Sequence, residues 1–275
     1  MSEDTLFITP TSARERQIFQ IFPVNFPVIR EIDTRLIAAE LDRRFPDRPL
    51  LKPENSGLAL AVEAWAERDL FWPIARYVSG TNAEAVDASL HADRAALRGK
   101  HPPSMERLKT VAQAEFGRIE AQLPFIESML AKGQPFLLSD KVSRADLAVY
   151  HGLWFLSAMP IDCSSILEPY PSIKSWMGRI NELGTGTSEN MTPRQAIQAA
   201  RETSPATPRS SRAMNFDPAL GTVVAIRPEE YRTEEVVGEV VLLDQNEMAI
   251  RRTDDDAGTV IVHFPRIGYA MRRLS

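Results

Sequence analysis

Cysteine is nearly missing from this sequence: Cys163 is the only one in 275 residues, so no disulfide can form within the chain. That fits a reducing cytoplasm, which is the localisation expected. Long apolar runs are missing too, and none reaches the roughly 20 residues that a membrane-spanning helix needs. The first thirty residues lack the basic stretch, apolar run and small-residue cleavage site of a secretory leader. There is no basic excess: 32 Lys and Arg stand against 37 Asp and Glu, a net charge of -5, which argues against a dedicated nucleic-acid or anionic-membrane binder. His91, His101, His151 and His263 are scattered without paired spacing, and Asp254 to Asp256 reads as a solvated turn, so no metal is expected. No repeat of solenoid length occurs. What remains is an ordinary globular composition, 44% hydrophobic and 25% charged.

Periodicity then divides the chain. Residues 1–50 hold a short candidate helix capped by Ser12, the breakers Pro23 and Pro27, and a clearer helix in "IDTRLIAAELDRRF" capped by Asp33 or Thr34. Residues 54–184 read as helical almost throughout. Asn55 or Ser56 is the expected cap of the first helix, with Leu58, Val62, Trp65 and Trp72 along one face. A second helix is expected over Ala83 to Arg98. The strongest stripe runs from Met105 through Leu108, Ala112, Phe116, Ile119, Leu123 and Ile126 to Leu130, with a kink or break predicted at Pro124. Residues 185–216 supply a helix capped by Thr192 and a linker rich in Pro, Ser and Thr. From 217 to 275 the period shortens to that of strands, and five β-prone runs predict a small antiparallel barrel or sheet.

"SDKVSRADLAVYHGLWF" carries a concentrated helix-start signal. Ser143 and Asp146 have the spacing of a capping box, and Val142 can staple onto Leu147. The structural role of Asp146 outweighs a catalytic one. Together with "LEPYPSIKSWMGRI", the stretch "PFLLSDKVSRADLAVYHGLWFL" resembles the C-terminal helical domain of cytosolic glutathione transferases, over about residues 54–183. Ser139 departs from that pattern, where the family usually has glycine.

The resemblance implies a fold that is mainly α with a truncated α/β, thioredoxin-like N-terminal part. It further implies glutathione as co-substrate, held by Asp33 and Thr34 with Pro23 as the candidate cis-proline, and a hydrophobic electrophile in a cleft bordered by Trp65, Asp69 and Trp72. A helix N-terminus suits a carboxylate, because it presents free N–H groups and partial positive charge. Ser12 is the one positional candidate for the group that stabilises the thiolate, and no Tyr precedes Tyr77. About one β–α unit of the expected N-terminal domain is lacking, which leaves a lost start as one reading. The implied function is glutathione conjugation. The alternative is a non-enzymatic interaction or scaffold module, and a homodimer is the family-level expectation.

Overall fold

The computed structural model describes residues 30–31, 34–97, 99–131, 133–184, 192–205, 212, 214–229 and 235–274. Strand β1 (Arg30–Glu31) leads into helix α1 (Thr34–Arg44), which buries Leu36, Ile37, Ala38 and Leu41. Arg43 and Arg44 in its last turn complement the helix dipole, and both pair with Glu40.

Helix α2 (Ser56–Trp65) is preceded by a 3-10 turn, Pro53–Asn55, and Asn55 makes no capping bond through its side chain. A π turn, Ala66–Leu70, joins α2 to α3 (Phe71–Thr81). Pro73 explains that turn: without an N–H it cannot satisfy the Asp69 carbonyl, which instead accepts from Gln122 Nε2 at 2.9 Å. The buried side of this run is Ala59, Ala66, Leu70, Ile74 and Val78, whereas Leu58, placed on the apolar face by spacing, is 58% exposed.

Helix α4 (Ala88–Leu97) starts later than Ala83, because Asn82 is committed elsewhere. Its fully buried amide donates to Val78 O and Ile161 O and accepts from Ile161 N, tying the end of α3 to the loop before Cys163. Ser104 caps α5 (Met105–Glu120), and the stripe then breaks; α6 (Leu123–Leu130) restarts with Pro124 in its first turn. Helices α7 (Arg144–Phe155) and α8 (Pro171–Glu182) complete the body, and α8 stops at Gly184, whose φ of 73° suits glycine. Leu70, Ile74, Ile119, Leu123, Ile126, Leu153 and Trp176 form the centre of its core. Helix α9 (Pro193–Glu202) is held by a Thr192–Gln195 capping box.

Strands β2 (Val223–Pro228), β3 (Val236–Leu243), β4 (Glu247–Asp254), β5 (Gly258–Pro265) and β6 (Tyr269–Arg273) follow, on the five β-prone runs. They form an open sheet, in the order β1-β5-β4-β3-β2-β6, and among the described residues no barrel closes. One face packs Val224, Ile226, Val240, Met248, Ile250, Val262 and Phe264 together. At the other end β1 pairs in parallel with β5, Arg30 opposite Val262, so the N-terminal strand belongs to the C-terminal sheet. Helices α1 and α9 both contact β5. No described helix is long and apolar enough to cross a membrane.

Candidate functional site

Ser143 and Asp146 form the capping box of α7, and Asp146 does more than cap. Its carboxylate, fully buried, accepts from Ser143 N at 2.9 Å, Ser143 Oγ at 2.7 Å, Leu137 N at 2.8 Å and Trp176 Nε1 at 2.9 Å. Burial pushes this carboxyl above its ordinary pKa, against those four bonds, which pull the other way. A group sealed in this way cannot reach a substrate. Beside it, Arg144 makes a buried ion pair with Glu63 at 2.8 Å, and its N–H donates to Leu50 O at 3.1 Å. Leu50 N in turn donates to Asp42, whose carboxyl burial also pushes upward. This polar cluster docks the 45–53 connector onto the helical body.

The π turn sorts the aromatic residues. Trp65 packs on Phe125 with ring centroids 6.5 Å apart, while Trp72 packs edge-on against Phe71 at 5.5 Å. Phe71 continues the aromatic group to His151 at 4.8 Å and Phe155 at 6.0 Å. Trp72 lines a cleft of about 720 Å³ between α3, α4 and the start of α5, with Arg76, His91, Arg94, Lys100 and Arg107 among the other lining residues. On its far side Trp72 also lines a groove of about 440 Å³ with Asp69, Arg68 and Arg118. Asp69 and Trp72 are thus neighbours, and Trp65 lines neither space. The cleft is of the size that holds small organic molecules.

Thr34 opens α1, whose first turn contains no acidic residue. The next residue, Arg35, reaches Glu67 on the π turn through Nε at 2.9 Å and Nη2 at 2.5 Å, so the N-terminal turn of α1 is clamped to the segment that carries Asp69 and Trp72. Ser12, Pro23 and Asp33 lie outside the described residues. Cys163 is buried and its thiol is pushed up by burial, the reverse of an activated thiolate. Tyr77, half-buried against Phe116 at 5.5 Å, is likewise pushed up by burial. Among the described residues no cluster of metal-ligating side chains occurs.

Residues 85–183 match the family model for the glutathione S-transferase C-terminal domain. This part of the chain is glutathione S-transferase-like. The fold of a GST-like protein from Pseudomonas syringae is similar, with a TM-score of 0.70 and 24% identity over 96% of this chain and 88% of that one. Glutathione transferase F7 from Populus trichocarpa is 16% identical, over 70% of this chain and 95% of that one, with a TM-score of 0.46. Glutathione S-transferase-I, solved with lactoylglutathione, is 14% identical over 62% and 90%, with a TM-score of 0.44. Comparison with curated sequences gives no match. The glutathione S-transferase-like part spans α4 to α8, so the capping box and the α4–α5 wall of the cleft lie inside it, while Thr34, Trp65, Asp69 and Trp72 lie before it.

The basic wall of the cleft escaped sequence reasoning. Its signal was the run from Lys100 to Arg107, "KHPPSMER", in which two prolines stand between cationic residues and a Ser cap.

Proposed function

We propose that the chain conjugates glutathione to an electrophile, with the glutathione carboxylate at the N-terminus of α1 and the electrophile against Trp72. One observation carries this reading: the Arg35–Glu67 pair fastens the α1 N-terminus to the run that carries Trp72, so a carboxylate site and an apolar cleft wall lie on joined elements. The residues at α1 suit the tripeptide. Thr34 offers a hydroxyl, the first-turn N–H groups lack intrahelical acceptors, and no carboxylate in that turn opposes an incoming one. Asp33 completes the glutathione contacts in this reading, Pro23 stands as the cis-proline, Ser12 is the candidate for stabilising the thiolate, and two copies of the chain form a homodimer. Residues 1–50 then belong to a thioredoxin-like part, with β1 paired to the C-terminal sheet, and the lone buried Cys163 suits a cytoplasmic protein.

Calorimetry with reduced glutathione tests the proposal. Saturable heat at or below millimolar ligand is expected, weakened several-fold by Thr34→Ala. A flat titration would move the chain to the second reading, a non-enzymatic interaction module. The exposed apolar residues Leu220, Val223, Val237 and Ile267 on and around the sheet favour that alternative.

A further inference from the structure

The charge lining the Trp72 cleft does not suit a purely apolar occupant. In a chain of net charge -5, Lys100, His101 and Arg107 line one cleft together with Arg76, and among the described residues no Asp or Glu lines it. Arg76 is answered by Glu115 at 2.9 Å, but among the described residues Lys100, His101 and Arg107 make no ion pair. Glu106, in the first turn of α5, does not line the cleft.

Ser104, the cap of helix α5, lines the same cleft, as do Arg107 and Leu108 one turn on. The Ser104 hydroxyl and carbonyl already take the N–H groups of Arg107 and Leu108, at 3.2 and 3.0 Å. The N–H groups of Met105 and Glu106 come too early in the helix for intrahelical acceptors, and they sit at the positive end of a 16-residue helix. Pro102 and Pro103, which bring no N–H of their own, hold the approach to this turn in extended form.

His91 supplies an independent sign of a ligand. It lines the cleft from α4, it is only 8% exposed, and its Nε2 is shut away from solvent without a hydrogen-bond partner. A buried ring nitrogen left unsatisfied is rare in a folded protein, and a bound polar group would complete it. Trp72 meanwhile offers an aromatic surface within the same cleft.

We propose that this cleft binds a small organic oxyanion. Its phosphate or carboxylate group is held by the α5 N-terminus, Arg107, Lys100 and His91, and its apolar body lies against Trp72. The inference rests on the reading of this cleft as the electrophile's place, and it names the charge class of that second substrate. Anion binding is measured without glutathione, so the two readings fail separately.

The experiment titrates the full chain with inorganic phosphate and with phenyl phosphate, by calorimetry at constant ionic strength. Saturable one-to-one binding is expected for both, with phenyl phosphate about tenfold tighter through its ring on Trp72. Arg107→Gln, at an exposed position, should weaken both ligands about tenfold, and Trp72→Leu should remove only the advantage of the phenyl group. His91→Phe should also weaken both. If that variant does not fold, Arg107→Gln still decides. Absence of saturable heat with either ligand overturns the proposal even if glutathione binds. So does binding that Arg107→Gln leaves unchanged, since the anion then sits elsewhere. Phosphate binding without glutathione binding keeps the anion site and removes the conjugation reading.

Discussion

Two carboxylates show how differently burial acts on single residues. Asp146 holds four donors from the 137 loop, the α7 cap and α8, with no cation among them. Removing it strands those donors in the core, and each unsatisfied buried donor costs about 1–3 kcal/mol, with losses that do not simply add. Asp146→Ala should therefore lower unfolding stability by about 4 kcal/mol, and Asp146→Asn by about half that, in urea titrations. Equal losses in the two variants would contradict the role of the remaining acceptor oxygen. Asp217 is the opposite case. Burial alone would raise its pKa, but the Arg266 guanidinium, at 2.5 and 2.6 Å, and the Met214 N–H hold it below the ordinary value. A carboxyl with a depressed folded pKa contributes stability that is full above the unfolded value of about 3.9 and is lost as pH falls through the folded one. Asp217→Asn should cost about 1–2 kcal/mol at neutral pH, and the difference from the parent chain should shrink below about pH 4. A difference constant down to pH 2 would contradict the assignment.

Between elements, the decisive contact is the crossing of α3 and α5. Gly80 lies where the helices come nearest: a Cβ there would stand 2.6 Å from Ala112 Cβ and would also strike the Leu108 backbone. This approach sets the floor of the basic cleft, since Ser79 and Leu108 both line it. Gly80→Ala should destabilise by about 1–3 kcal/mol through overpacking, although Ala is the better helix former. A gain in stability would show that the helices part freely. The same region separates what the sequence revealed from what it hid. Local signals were legible: the caps at Ser143 and Thr192, the break at Pro124, and the five β-prone runs that form strands. Leu58, Val62, Trp65 and Trp72 do not share one face: spacing arguments assume uniform turns, and a π turn between Trp65 and Trp72 rotates Trp72 against the earlier residues, while Leu58 lies exposed in the first turn of α2. Pro73 was the visible cause of the π turn. The cleft was harder to see, since residues 72–79, 91–95 and 100–111 meet only after the chain has folded back twice.

At the scale of the whole molecule, a strand from before the helical body and five from after it share one sheet. A two-residue strand has no period to read, and its partner, β5, lies more than two hundred residues away in sequence, so the pairing of Arg30 with Val262 left no local trace. Its consequence is mechanical. Helix α1, proposed to hold glutathione, is fastened on one side to the π turn through Arg35 and Glu67, and on the other it rests against β5. The C-terminal sheet thus supports the N-terminal helix, and loosening the sheet should loosen α1. Val262→Ala, at a fully buried position in β5, should cost about 2 kcal/mol through the lost methyl groups and the cavity they leave. Native-state hydrogen exchange should then quicken at amides of α1 as well as at β4 and β5, while amides of α7 and α8, whose core is separate, keep their protection. If α1 keeps its protection while the sheet opens, the Arg35–Glu67 clamp alone holds the helix, and the C-terminal domain has no part in positioning Thr34.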